Sequence, residues 1–287
     1  MAKNILHTIE ENMKSFSKGQ KAIAHYILDN YDKAAFMTAN KLGKTTSVSE
    51  STVVRFATEL GYDGYPDMQR ALQEMIRGRL TSVQRIEASS GTLSGNNLLM
   101  GVMKRDMEMI RMAMEQMEFS EFDRVVDKIV SAKHIYIVGF RSSSFLAGYL
   151  EFYFRLIFDH VTLVRSGESG TLDQLFRMDK EDAVIGISFP RYSQQALKTI
   201  AFAKSKGATV VGITDSTLSP IYQMASASLL VKSEMISFVD SLAAPMSMIN
   251  ALIIAAAQRK GADVAASFAE LEDIWSQYGI FGHTENE

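Results

Sequence analysis

The sequence predicts two folds on one chain: an all-α helix-turn-helix domain, then an α/β domain built on a parallel sheet with helices on both faces. Three observations lead there. Residues 1–80 carry apolar stripes at helical spacing between N-cap and stop signals. Residues 81–97, TSVQRIEASSGTLSGNN, are rich in Ser, Thr, Gly and Asn and lack an apolar period. From His134 onward, short continuous apolar runs alternate with helical stretches, the texture of strands buried on both faces. The expected division is a head over 1–80, a flexible linker over 81–97 and a body over 98–287, its sheet core spanning about 133–260.

In the head, residues 3–13 form a first short helix with Ile5, Leu6 and Ile9 apolar. Ser17 caps the next, Lys18–Asn30, whose inward face is Ile23, Ala24, Ile27, Leu28 and Tyr31. A short turn at Asp32 follows. Thr38 then caps a helix through Thr45, and a tight turn, Thr45–Val48, leads to a helix capped by Ser49. In that helix Val53, Phe56, Ala57 and Leu60 recur at i, i+3, i+4, i+7, and Gly61 supplies a left-handed stop. Pro66 suits the first turn of a further helix with Met68, Leu72, Met75 and Ile76 on its apolar side. Two short helices joined by a tight turn make a helix-turn-helix.

The second of those helices is buried on one side and polar on the other, a shape that fits a DNA major groove. Lys41, Lys44, Thr46, Glu50, Ser51, Thr52 and Arg55 are the candidate DNA contacts. Net charge alone argues nothing for nucleic acid. Residues 1–80 hold 11 Lys/Arg against 9 Asp/Glu and the remainder 19 against 24, so the net −3 divides into +2 and −5. Binding would depend on where Lys41, Lys44, Arg55, Arg70 and Arg77 point, as phosphate contacts that set register.

In the body, Leu98–Met117 is a methionine-rich helix with Met100, Met103, Met107, Ile110, Met114 and Met117 spaced 3-4-3-4-3. A helix packed on its own domain is the preferred reading; a seam with a second subunit is the other. A second helix spans Ser120–Ser131. Strands are expected at 135–139, 161–165, 183–188, 208–214 and 226–231, with a helix after the first running through Phe158 and a short one around Leu172–Met178. The apolar run Leu242–Ala257, 16 residues interrupted by Pro245, Ser247 and Asn250, is shorter than the roughly 20 a bilayer span needs. It reads as a buried helix in a core or subunit contact.

Ligands in parallel sheets bind outside the carboxyl ends of the strands, so the loops there carry the candidate site. The first, Gly139-Phe140-Arg141-Ser142-Ser143-Ser144, opens a helix and offers three hydroxyls and a guanidinium to an anion. The second is Ser188-Phe189-Pro190-Arg191-Tyr192-Ser193. Candidate ligand contacts are Arg141, Ser142, Ser143, Ser144, Ser188, Arg191 and Ser193. Ser166, Glu168 and Ser169 are lesser candidates; Thr214, Asp215 and Ser216 read most simply as a turn and helix cap.

The run V-S-E-S-T-V-V-R-F-A-T-E-L-G-Y-D-G-Y-P-D, Val48 to Asp67, resembles the DNA-binding domain of the RpiR/MurR family of bacterial transcription regulators. That family joins an N-terminal helix-turn-helix domain to a C-terminal sugar isomerase (SIS) domain, and the later loops resemble those of SIS domains. The second loop corresponds to the pattern S-x-S-G-x-[ST]: Ser188 and Ser193 keep its ends, but Pro190 replaces the middle Ser and Arg191 the Gly. Arg141 stands where many members have a small residue. The resemblance implies a cytoplasmic regulator of a metabolic operon, a homodimer or higher homo-oligomer, with operator DNA and a small anionic metabolite, expected to be a phosphosugar, as partners.

No cofactor, metal or catalytic residue is expected. Cys is absent, which removes disulfides and thiol catalysis, and His7, His25, His134, His160 and His283 form no pair with helical metal-ligand spacing. Gly43-Lys44-Thr45 lacks the earlier Gly of a P-loop. An SIS-type isomerase is the enzymatic alternative; it would need a general base, for which Glu168 and Asp240 are available but in no recognisable motif. A constitutive DNA-binding protein whose body only dimerises is the third reading.

Overall fold

A computed structural model of the chain describes residues 5–76, 81–89, 98–165 and 170–281. The chain divides into two compact units, Met1–Ser94 and Gly95–Glu287.

The first unit is all helical: α1 (Ile5–Asn12), α2 (Lys18–Asp29), α3 (Tyr31–Ala34), α4 (Ala39–Thr45), α5 (Glu50–Glu59), α6 (Tyr65–Ile76) and α7 (Ser82–Ser89). Each start follows from a cap. The Ser17 side chain accepts from Gln20 N while the Gln20 side chain accepts from Ser17 N, closing a capping box on α2. Thr38 and Ser49 accept from Lys41 N and Thr52 N at the heads of α4 and α5. Ile9, Ile23, Ile27, Leu42, Val53, Phe56, Met68, Leu72 and Ile76 are fully buried between the helices. α6 holds the chain after α3: Tyr65 Oη donates to Met37 O at 2.6 Å and Gln73 Nε2 to Ala35 O at 2.9 Å. Burial pushes the Tyr65 phenol up to about 12.

α7 corrects the linker reading. Thr81 and Gln84 cap one another reciprocally, with Thr81 N donating to Gln84 Oε1 at 2.9 Å and Gln84 N to Thr81 Oγ1 at 3.3 Å. Arg85 is 1% exposed, and Gln84 Nε2 also reaches Asp32 Oδ2 at 3.5 Å. A Ser/Thr-rich composition concealed a capping box, and the helix it starts belongs to the head. Residues 90–97 of the expected linker lie outside the described residues.

The second unit runs α8 (Leu98–Gln116), α9 (Phe119–Val130), β1 (Ile135–Gly139), α10 (Ser143–Phe154), β2 (Val161–Val164), a 3₁₀ turn at Asp173–Leu175, β3 (Ala183–Ile187), α11 (Gln194–Ser205), β4 (Thr209–Thr214), α12 (Pro220–Met224), β5 (Ala227–Leu230), α13 (Ala243–Lys260) and α14 (Ala262–Gln277). All neighbouring strands pair parallel, in the order β2-β1-β3-β4-β5. Strand alternation sorts the side chains. Ile135, Ile137, Ile185, Ile187, Val211 and Ile213 pack with α8, α9, α10 and α13; Tyr136, Val138, Val184 and Val210 pack with α11 and α12. Helices therefore cover both faces, which is why these strands read as continuous apolar runs.

The methionine-rich helix packs on its own domain, as preferred, but of the expected stripe only Ile110 and Met117 take part. α8 faces its own domain through Met109, Ile110, Met112 and Ala113, and Met117 joins them just past its end. Met100, Met103, Met107 and Met114 are exposed, the last two about 70% so (69% and 72%). The 3-4 spacing identified a real apolar stripe but not the whole of the face that packs against α13 and the core. α13 matches the expected buried helix on one side only: Met248, Ile249, Leu252 and Ala256 are buried, while Ile254 is 58% exposed. Among the described residues no helix is long and apolar enough to cross a membrane.

Candidate functional site

The residues expected to bind DNA and ligand fall in different units of the chain. In the head, α4 and α5 meet across a turn made possible by Gly43, where a Cβ would stand 2.8 Å from Val48 O. Val48 N donates to Gly43 O at 2.8 Å, and Ser47 turns the chain with φ 58°. α5 buries Val53, Phe56 and Ala57 and turns its polar side outward. At its amino end, Ser49 Oγ lies 2.9 Å from Ser51 Oγ and 2.8 Å from Thr52 Oγ1, a chain of hydroxyls at the positive end of the helix.

Arg55 is exposed and its Nε donates to Ser51 O at 3.3 Å, so the guanidinium leans toward the same end. Glu50 accepts from Asn40 Nδ2 at 3.1 Å, tying α5 to α4, and Lys41 and Lys44 are exposed on α4. Thr46 is less available: its hydroxyl donates to Leu42 O at 2.9 Å as part of the α4 C-cap. Arg70 is drawn to Asp67 at 3.6 Å, and Arg77 lies outside the described residues.

In the body, the strand order puts β1 beside β3 with Gly139 level with Ile187. Connections from β1 to β2 and from β3 to β4 run in opposite directions along the sheet, so the β1/β3 boundary is its switch point, the place where parallel sheets generally hold ligands beyond the carboxyl ends. Both serine loops emerge there. Gly139 lets the first close tightly onto α10: a Cβ would stand 2.6 Å from Ser143 O.

Within the first loop Arg141 takes φ 58° and is exposed, and its carbonyl accepts from Ser144 Oγ at 2.6 Å. Ser144 is thereby committed to the backbone. Ser143 is buried and Ser142 exposed; among the described residues neither hydroxyl is hydrogen-bonded. In the second loop Arg191 takes φ 70°. Ser193 caps α11 by accepting from Ala196 N, and its own N–H donates to Ser188 Oγ at 3.4 Å. Ser193 therefore has a structural task that its assignment as a ligand contact did not include.

The structure adds a pair the sequence reading left out. Tyr192 Oη donates to Asp215 Oδ1 at 2.7 Å, bridging the loops after β3 and β4. Thr214 Oγ1 donates to Ser188 O at 2.9 Å and lies 3.3 Å from the same Asp215 oxygen. Thr214 and Asp215 thus hold the second loop, and Ser219 is the residue that caps α12. The only available signal was Asp215 at a strand's carboxyl end. Ser166, Glu168 and Ser169 lie outside the described residues. Asp240 sits after β5 in a short antiparallel bridge with Met235. A cavity of about 330 Å³ lined by Lys128, Lys133, Lys180, Glu181 and Asp182 lies at the opposite end of the sheet, away from both serine loops. No cluster of three or more metal-ligating side chains occurs among the described residues.

Comparison with known proteins agrees with this division. Residues 3–78 match the helix-turn-helix domain of the rpiR family, and residues 128–255 match the SIS domain. The chain is thus a two-domain regulator, with a DNA-binding head and a sugar-isomerase-type body. It belongs to the RpiR family of transcriptional regulators.

An uncharacterized HTH-type transcriptional regulator of Caldanaerobacter subterraneus subsp. tengcongensis is 23% identical over 96% of this chain and 99% of its own. Another from Clostridium perfringens is 23% identical over 77% and 78%. Among solved structures, the sugar isomerase domain of an RpiR transcription factor from Sphaerobacter thermophilus is similar at TM-score 0.60 and 23% identity, covering 62% of this chain and 99% of that one. The Vibrio vulnificus NanR protein complexed with ManNAc-6P is similar at TM-score 0.54 and 20% identity, covering 98% and 100%. Relatives named as regulators, with the same helix-turn-helix head, make this chain a regulator and not an enzyme.

Proposed function

We propose that the protein controls a metabolic operon by binding operator DNA through α5 and a small anionic metabolite, of the phosphosugar class, in the crevice between the β1 and β3 loops. The observation that carries this reading is the meeting of two hydroxyl-rich, arginine-bearing loops at the switch point of the sheet, on the same chain as a helix-turn-helix. The Vibrio vulnificus relative, whose structure holds ManNAc-6P, supports the ligand class. Ser142 and Ser143 on one loop and Ser188 on the other are the nearest hydroxyls to such an anion, with Ser193 shaping the second loop through its cap.

On DNA, Arg55 and Thr52 contact bases or phosphates, with Ser51 and Glu50 beside them and Lys41 and Lys44 on the phosphate backbone. Two heads are needed to read two half-sites, spaced by about 10 bp or a multiple. The exposed Met100, Met103, Met107 and Met114 stripe supports self-association, since one chain leaves it uncovered. Ligand acts by favouring one arrangement of paired heads, and only to the extent that it binds that arrangement better.

Gel-shift titration against the promoter of the protein's own gene tests the reading. Arg55→Ala should weaken operator binding by about 1–3 kcal/mol, roughly 5- to 150-fold, and relax sequence preference at one position per half-site. A folded Arg55→Ala variant with wild-type affinity would remove α5 from the interface.

A further inference from the structure

α14 carries an apolar stripe that the core of its own domain does not take up. Val264, Phe268, Leu271, Trp275 and Tyr278 recur at 4-3-4-3 spacing, one side of a helix. Only Val264 is buried; Phe268, Leu271 and Trp275 are half-buried and Tyr278 is 71% exposed. None of the five belongs to either core cluster of the body. A helix of 16 residues is marginal in water until a face of it packs.

α8 carries the other uncovered stripe, with Met100, Met103, Met107 and Met114 all more than half exposed. The two stripes match in length, chemistry and charge. Each covers 14 residue steps at three-four spacing, about 21 Å along a helix. Methionine sulfur makes favourable contacts with aromatic rings, and its unbranched chain fills the gaps between them. The acids of α14 are Asp263, Glu270, Glu272 and Asp273, and residues 261–287 contain no Lys or Arg. On α8, Lys104 is exposed four residues after Met100 and three before Met107, at the border of the stripe. Arg111, next along that border, is engaged by Glu108 and Glu115 at 2.6 and 2.8 Å.

We propose that α14 of one chain packs along the α8 methionine stripe of a second copy, and that the second copy returns the contact. This rests on the proposed self-association and names the surface that meets α8. Both stripes stand open within one chain, so each needs a surface from outside it. Pairing α8 with α8 would leave the aromatic stripe of α14 uncovered. Twofold symmetry makes the α8–α14 contact twice, adding toward the roughly 1,200 Å² that specific interfaces bury.

The chain has no cysteine and a single tryptophan, which makes the contact directly readable. Full-length chains with Met100→Cys, Met103→Cys, Met107→Cys or Met114→Cys are mixed with differently tagged Phe268→Cys, Leu271→Cys or Tyr278→Cys chains and mildly oxidised. At least one mixture should give a disulfide joining the two tags. In Met103→Glu/Met107→Glu, Trp275 emission should shift to the red, although nothing near that ring in its own chain has changed; thermal melts verify that the variants fold. Disulfides only between two α8 cysteines, or only inside a chain carrying both substitutions, overturn the proposal, as does Trp275 emission unmoved by the α8 variant. No disulfide in any mixture, with wild type sedimenting as a dimer, overturns this contact but leaves self-association standing. Wild type sedimenting as a monomer at every concentration overturns self-association, and the proposal with it.

Discussion

His134 shows how a single side chain ties the edge of the sheet to solution conditions. Its ring stacks on Tyr136 at 4.3 Å, lies 5.8 Å from His160, and Nε2 is 2.8 Å from Thr162 Oγ1. Burial holds its pKa below the ordinary 6.5; the nearby Asp182 carboxylate acts in the opposite direction, and His160 adds to the lowering. The folded chain therefore resists protonating this ring more than the unfolded chain does. Its stabilising contribution is complete above pH 6.5 and is lost as pH falls through the lower folded-state value. Thermal melts between pH 7 and 5 should show a falling midpoint whose slope is reduced in His134→Gln. An unchanged slope would mean other groups set the dependence.

At the level of elements, the α4–turn–α5 unit depends on close backbone approach more than on side-chain packing. Gly43 is the tightest point, since a Cβ would meet Val48 O at 2.8 Å, an atom of the backbone that cannot swing aside. Gly43→Ala should cost about 1–3 kcal/mol, the range for overpacking, and should spoil the aim of α5. Thermal denaturation and operator gel shifts on the same preparation would both register it; an unshifted midpoint with full DNA binding would show that the turn relaxes. Gly61 differs, because a Cβ there meets nothing within 4 Å and its φ of 90° is what requires glycine.

For the whole molecule, the proposed pairing of two heads on DNA predicts that a second copy covers the exposed apolar stripe of α8. Met103 and Met107 lie one turn apart on α8, 52% and 69% exposed, while Met109 and Ile110 hold the helix to its own core. Met103→Glu/Met107→Glu should leave the fold intact and shift sedimentation from a dimer toward a species of half the mass. Operator affinity should fall with it, since a second head no longer binds at high effective concentration. A double variant sedimenting as wild type would place the subunit contact elsewhere.

Local chemistry determined much of this protein on its own. Ser17, Thr38 and Ser49 announce their helices because a cap is a contact within three residues, and the strand cores at 135–139, 183–187 and 209–214 are legible because burial on both faces leaves no polar alternation. α7 was legible too, through Thr81 and Gln84, but composition outweighed that signal. Other features depended on partners distant in the chain. Only the strand order brings the Arg141 and Arg191 loops to neighbouring strand ends, only packing decides which side of the methionine helix meets α13, and only the meeting of the β3 and β4 loops gives Asp215 its tyrosine. Spacing along a helix shows that a stripe exists; what covers it is settled by elements dozens of residues away.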